Sequence, residues 1–121
     1  MFSVYKILTG ESLPLEYYAA AAGETLVLGE ALKISSGAIA KASGADSAEF
    51  ICAGVKLSDG RYPVLRLRKD IEFFTETVLT SASMGVSVQL STDGLGLTAT
   101  TGGCFKVTNI SAKGTYGIFT A

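Results

Sequence analysis

The sequence contains no histidine. This absence excludes nucleophilic sites of the Ser-His-Asp and Cys-His types, and it removes the commonest general base and most transition-metal sites. The two cysteines, Cys52 and Cys104, are single and form no Cys-x-x-Cys pair, so a zinc ribbon is excluded as well. We therefore expect neither a metal nor another cofactor.

The cysteines themselves fall in segments that we expect to be buried strands. A buried free cysteine behaves as a small apolar residue in a reducing compartment. A single pair carries no signal of a disulfide framework. We expect Cys52 and Cys104 to be free, with a disulfide between them as the alternative.

Charge is also scarce. Charged residues make up 17% of the 121 residues, against about a quarter in an ordinary soluble domain. No apolar run approaches the roughly 20 residues that cross a bilayer, so we expect no membrane partner. A small domain has a large surface to cover, so the low charge indicates that other chains cover part of it. The net charge of −1 gives no bias toward nucleic acid. The N-terminal sequence lacks a signal-peptide pattern, which predicts synthesis in the cytoplasm.

Short alternating segments separated by turn residues at intervals of roughly 8–12 residues predict an all-β fold, and no segment has helical periodicity. We expect about ten short strands in the whole chain and a small single-domain β-barrel or sandwich over residues 17–121. Residues 1–16 are expected to be an N-terminal arm, with a turn at 10–12, that pairs onto a sheet edge, lies on a neighbouring subunit or is disordered. The predicted strands are Met1–Leu8, Leu15–Ala20, Glu30–Ser35, Ala38–Ala42, Glu49–Val55, Tyr62–Lys69, Ile71–Thr77, Val86–Leu90, Leu95–Thr100, Cys104–Ile110 and Gly114–Ala121.

The chain also repeats a hairpin pattern. Residues 84–110 follow the same order of strands and turns as residues 19–55, which predicts two similar β units in one domain. The alternative is that unrelated hairpins converge on one pattern. The matching positions are Gly29, Leu32 and Ile34 opposite Gly85, Val88 and Leu90, and Gly37 opposite Gly94 after a one-residue insertion.

Acidic side chains offer one enzymatic possibility. Asp70, Glu72 and Glu76 share strand faces in pairs, and paired carboxylates can flank a glycosidic bond. The adjacent Arg68 and Lys69 favour solvated ion pairs instead. A substrate cleft usually includes aromatic side chains, and the sequence has no tryptophan. We therefore expect no enzymatic activity.

The one basic cluster comprises Arg61, Arg66, Arg68 and Lys69. It could be a nucleic-acid face, a charged solvent face, or a contact between subunits in which arginine pairs with carboxylates. Acidic residues are interleaved with the basic ones, which argues against nucleic acid. We favour the subunit contact, followed by the solvent face.

Three stretches together resemble the small head decoration, or capsid cement, proteins of tailed bacteriophages. They are Glu49–Val55 (EFICAGV), Pro63–Glu76 (PVLRLRKDIEFFTE) and Leu90–Thr100 (LSTDGLGLTAT), within a resemblance that extends from Tyr17 to Ile110. Proteins of this family are non-enzymatic β folds that bind the outside of the expanded capsid, often as trimers, and stiffen the shell.

The resemblance implies a structural protein that is made in the host cytoplasm, partners the major capsid protein on the virion surface and self-associates as a trimer. By analogy, residues 1–15 and the loop 43–47 are candidate capsid contacts. As interface residues we select Tyr18 and Phe74 for apolar contacts and Arg66 and Arg68 for polar ones, because aromatic and arginine side chains dominate interface energetics. The rival hypotheses are a nucleic-acid-binding barrel and a carbohydrate-binding or tail-associated virion module.

Overall fold

The computed structural model describes residues 1–9 and 14–120, and in these residues the protein is all-β. Eleven strands form two antiparallel sheets, and a single 3₁₀ turn at Ser81–Ser83 is the one helical element among the described residues. None of the described helical segments is long and apolar enough to cross a membrane. The strands are β1 Ser3–Ile7, β2 Leu15–Ala19, β3 Ala31–Ser35, β4 Ala38–Lys41, β5 Phe50–Cys52, β6 Arg61–Arg66, β7 Ile71–Thr75, β8 Ser87–Leu90, β9 Leu97–Thr101, β10 Phe105–Ser111 and β11 Gly114–Phe119.

Each predicted strand is confirmed, with ends that differ by a few residues. The largest difference is in β5, which we expected over Glu49–Val55. The Ala53 N–H donates to the Pro63 carbonyl at an N···O distance of 2.9 Å, but Pro63 has no N–H to return the bond. The pairing with β6 therefore stops after Cys52. The turn predicted at 10–12 lies outside the described residues.

The first sheet has the strand order β1-β7-β11-β10-β8-β9 and the second has β2-β6-β5-β3-β4. Neither forms a closed barrel within the described residues. The ends of the second sheet approach each other at one point, where Ala20 forms a bridge with Ile39. The coarse prediction of an all-β fold is thus confirmed, in the form of two antiparallel sheets.

The two sheets share a four-strand order, because β6-β5-β3-β4 of the second corresponds to β11-β10-β8-β9 of the first. The pairing also recurs at the two glycines that the sequence comparison matched. The Gly29 N–H donates to the Cys52 carbonyl at 2.8 Å, and the Gly85 N–H donates to the Val107 carbonyl at 2.9 Å. We call residues 29–66 the first unit and residues 85–119 the second unit.

The N-terminal residues supply an edge strand to each sheet. β1 pairs with β7 at the edge of the first sheet, and β2 pairs with β6 at the edge of the second. The preceding residue, Phe2, is buried in the core, and its N–H donates to the Gly29 carbonyl. Of the placements considered for this segment, the sheet edge is the one observed for Ser3–Ile7.

The main core contains side chains from both sheets, and four phenylalanine rings form its centre. Their centroids lie 5.0–5.6 Å apart, mostly in edge-to-face geometry, which aromatic rings favour. A second cluster lies on the other face of the second sheet, so that sheet is buried on both sides. The four rings are Phe2, Phe73, Phe105 and Phe119, and the second cluster comprises Leu26, Leu32, Ile39, Phe50, Cys52, Tyr62 and Val64.

The division into two clusters separates the cysteines. Cys52 belongs to the second cluster and Cys104 to the main core. Both are free and buried, as expected. Burial raises the pKa of each thiol and so disfavours the reactive thiolate.

One glycine is required by the packing of the main core. A Cβ at Gly117 would lie 2.3 Å from the Phe105 ring and 2.4 Å from the Lys106 carbonyl oxygen. Gly117→Ala must therefore displace a core ring and a strand backbone together. We expect a loss of about 3 kcal/mol in the free energy of unfolding, measured by urea denaturation.

The matched control is Gly102→Ala, in the connection between β9 and β10 of the same sheet. Gly102 has a φ of +87°, and a Cβ added there would have no atom within 4 Å, so only backbone strain of about 1 kcal/mol is expected. Equal losses for the two variants would show that the close packing at Gly117 is not what matters.

Candidate interaction surface

Two of the predicted interface residues, Tyr18 and Arg66, lie together at one end of the second sheet. They face the same side because β2 and β6 are paired neighbours. Glu16, two residues before Tyr18 on β2, accepts two hydrogen bonds from the Arg66 guanidinium, at 2.8 and 2.9 Å. The Tyr18 hydroxyl donates to Glu16 at 2.7 Å. The Arg66 guanidinium carbon also lies 4.8 Å from the centre of the buried Phe50 ring.

The hydrogen bonds of this network shift the pKa values of its three side chains. The hydrogen bond from Arg66, followed by that from Tyr18, lowers the pKa of Glu16 from 4.5 to about 2. The bond to Glu16 raises the pKa of Arg66 and that of Tyr18. Arg66 therefore carries a fixed charge that is already paired, and its guanidinium lies over the Phe50 ring at the end of the second cluster. Its geometry is that of a structural cap with a half-exposed outer surface.

Arg68 follows Arg66 but pairs with a different carboxylate. Its guanidinium donates two hydrogen bonds to Asp70, both at 2.9 Å. Thr9, at the end of the N-terminal strand, donates to the same carboxylate at 2.8 Å. These bonds hold the pKa of Asp70 below its ordinary value, the bond from Thr9 being the largest cause. Arg68 and Asp70 thereby join the N-terminal segment to the connection after β6.

A shallow cleft runs beside these arginines. Its volume of about 200 Å³ is below the roughly 300 Å³ at which small-molecule sites begin. Two of its cations, Arg66 and Arg68, are paired with carboxylates. The cleft therefore offers little unpaired positive charge. Its lining residues are Ala48, Glu49, Arg66, Leu67, Arg68, Lys69 and Phe119.

Phe74 lies in the other sheet, on the face that points away from the core. Successive residues of a strand point to opposite faces, and here Phe73 is buried while Phe74 is only partly covered. The Tyr116 ring covers it, with centroids 5.0 Å apart. The Tyr5 ring in turn lies 4.6 Å from Tyr116. Phe74 thus belongs to a surface cluster of three aromatic rings, separate from the network around Arg66.

Large exposed apolar side chains are concentrated in the N-terminal segment. Thirteen such side chains occur among the described residues, and six of them lie within the first 17 positions. The most exposed of these six are Tyr5 and Leu8, at 58% and 53%. We call these six side chains the N-terminal apolar set: Met1, Val4, Tyr5, Leu8, Leu15 and Tyr17.

The loop 43–47 is ordered by its own acidic residue. Asp46 accepts a hydrogen bond from the Ser43 N–H at 3.1 Å and from the Lys33 ammonium at 3.0 Å. The backbone bond, followed by the one from Lys33, lowers the pKa of Asp46. Ala45 and Ser47 remain exposed at the surface. The loop is therefore held in place by hydrogen bonds and keeps two exposed residues.

Some functional candidates were missed in the sequence. Glu16 shares a strand face with Tyr18, which alternation could have indicated, but its pairing with Arg66 is 50 residues distant in sequence. Tyr5 lies at a register shift in β1, which no pattern of single residues reveals. Glu30 is buried despite its charge, and it sits at the predicted start of a strand.

No group of three or more His, Cys, Asp or Glu side chains in the described part of the chain could hold a metal ion. Comparison with known proteins adds no relative: no family model, curated protein or solved structure matches the chain.

The Arg66–Glu16 pair makes stability depend on pH. Because the pKa of Glu16 is lowered to about 2 from 4.5, its contribution is present above the ordinary value and is lost as the pH falls toward the lowered one. Glu16→Gln should reduce the free energy of unfolding by about 0.5–1 kcal/mol at neutral pH, a small value because Arg66 is half-exposed. Urea denaturation at neutral and strongly acidic pH measures this difference, which should shrink in acid.

The control background is Arg66→Met, which keeps a long unbranched side chain beside Phe50 but removes the guanidinium. In that background Glu16→Gln should change stability much less at neutral pH. An undiminished effect of Glu16→Gln would mean that Glu16 acts through some other partner.

Proposed function

We propose that the protein is a non-enzymatic structural component of a phage virion that binds the outer surface of the capsid and stabilises the expanded head. In this proposal the major capsid protein is the partner, and copies of the chain associate as trimers on the shell. The support is the resemblance of three stretches to head decoration proteins, together with a surface that is poor in charge and rich in exposed apolar side chains. We further propose that the two sheets act as a sandwich of two related units.

The observation that carries this proposal is the N-terminal apolar set. These side chains lie on or beside edge strands, whose second edges have no strand partner over Ser3–Ile7 and Leu15–Ala19 among the described residues. Exposed apolar groups beside open strand edges favour contact with another protein. Each contact would be modest, and many copies on one shell would add their effects.

The basic cluster defined from the sequence does not favour the nucleic-acid hypothesis. Arg61, Arg66 and Arg68 each form an ion pair with a carboxylate of this chain. A phosphate backbone would have to compete with those carboxylates for the guanidinium groups.

The four interface residues selected from the sequence, Tyr18, Arg66, Arg68 and Phe74, stay predictions. Arg66 and Tyr18 also contact each other within the chain, so truncating either would test stability and binding together.

The direct test is co-sedimentation of the purified protein with expanded, undecorated heads assembled from the major capsid protein of the same virus. Single-stranded DNA binding at two salt concentrations is measured in parallel. Saturable pelleting with heads and no DNA binding supports the proposal. Absence of pelleting together with salt-sensitive DNA binding would replace it with a nucleic-acid-binding function.

The residues are tested with the double variant Leu8→Ser/Leu15→Ser. Full burial of a leucine contributes about 1.5–3 kcal/mol, so we expect an affinity for heads at least about tenfold lower. The matched control is Val55→Ser, which alters a side chain that is 79% exposed but lies outside the N-terminal segment. Equal affinity of the double variant and the wild type would exclude these side chains from the interface.

A further inference from the structure

One carboxylic acid is buried in the described part of the protein. Glu30 is 4% exposed, and its Oε1 atom has no hydrogen-bond partner among the described residues. A buried carboxylate with one unpartnered oxygen is costly, because burial removes water from that oxygen without replacing its hydrogen bonds. Packing alone does not explain why a carboxylic acid occupies this position.

The internal repeat shows that the fold does not need this acid. The Cys52 N–H donates to the Glu30 carbonyl at 2.9 Å, and the Val107 N–H donates to the Val86 carbonyl at 3.0 Å. Val86 therefore holds in the second unit the place that Glu30 holds in the first. An apolar side chain serves the same backbone geometry there, so the carboxyl group of Glu30 is an addition to the fold.

Glu30 lies where the two units meet. The next residue, Ala31, donates its N–H to the Gly94 carbonyl at 2.8 Å, which joins β3 to the turn between β8 and β9. The Glu30 Cγ atom lies 3.1 Å from where a Cβ on Gly94 would be. Close by, Gly44 in the loop after β4 forms an antiparallel bridge with Leu90 at the end of β8. We call these backbone contacts the hairpin junction.

Burial and several neighbouring groups influence the pKa of Glu30. The loss of water on burial is the largest influence and raises its pKa, while Lys41 on β4 and the Val27 backbone lower it. Glu24 and Asp93 raise it further. The Cys52 thiol is the other titratable group that interacts with Glu30.

We propose that Glu30 makes the hairpin junction sensitive to protons: the neutral acid fits the buried site, and its ionisation loosens the contact between the two units. A protonated carboxyl has no charge to desolvate, whereas an ionised one carries negative charge on a buried oxygen that has no hydrogen-bond partner. This device concerns the fold itself, so it stands whether or not the protein binds capsids.

The raised pKa of Glu30 decides whether stability rises or falls with pH. Because the pKa of Glu30 is raised in the folded protein, its contribution to stability is complete below the ordinary glutamate value and is lost as the pH rises through the raised one. The hairpin junction should therefore open more readily at neutral and alkaline pH than at mildly acidic pH.

The test is amide hydrogen exchange followed by NMR at several pH values between about 5 and about 8, corrected for intrinsic exchange. The reporters are the Ala31 and Leu90 amides, which bond across the junction. Their opening equilibrium constants should rise on the order of tenfold over this range. The Val107 amide bonds to Val86 at the equivalent place of the second unit and should not share the rise.

Two variants at Glu30 complete the design. Glu30→Gln keeps the shape without the charge, and Glu30→Val copies the residue of the second unit. Both should abolish the rise, and the valine variant covers the case in which glutamine itself is poorly accommodated. Glu49→Gln removes one exposed carboxylate from the same sheet and should leave the rise intact.

A change of equal size at Ala31 and Val107 in the wild type would overturn the proposal, since the effect would then not be local. So would an undiminished rise in both Glu30 variants. A side-chain carboxyl titration of Glu30 that gave the ordinary glutamate value would overturn it as well.

Discussion

The contact between four phenylalanine rings is the interaction on which the rest of the structure depends. Phe2 precedes the first strand, Phe73 lies on β7, and Phe105 and Phe119 lie on β10 and β11. These rings connect the N-terminal segment to the centre of the first sheet and fill the space against the second. Dense packing of this kind tolerates little added volume, which is why a neighbouring strand position is glycine.

The internal repeat places one strand arrangement in two different environments. In the second unit Phe105 pairs with Phe119, and their rings meet at 5.0 Å within the core. In the first unit Phe50 pairs with Arg66, and a guanidinium takes the place of the second ring at 4.8 Å. An arginine can cover an aromatic ring while its charge stays in contact with water. The substitution suits a position at the rim, where a phenylalanine would be exposed.

Much of the fold could be predicted from the sequence because its signals are local. Alternation and turn residues identified the strands, and the matched Gly29 and Gly85 identified the register of the repeat. The division of the strands between two sheets was not predictable, since it depends on partners distant in sequence. The same holds for the site: the selected Arg66 and Tyr18 do meet, but their partner Glu16 is fixed only by the pairing of β2 with β6.

The N-terminal segment supplies the edge strand of each sheet, and this has a consequence for the order of folding. β1 can pair only when β7 has been synthesised, and the ring of Phe2 meets that of Phe119 near the far end of the described chain. A loop of that length costs entropy to close before its contacts form, which slows folding. On the ribosome, β1 emerges before β7 and is therefore among the last elements to reach its final position. Until then the edges of β6 and β7 lack the strands that cover them in the folded protein, and an uncovered strand edge is a place where another chain can pair.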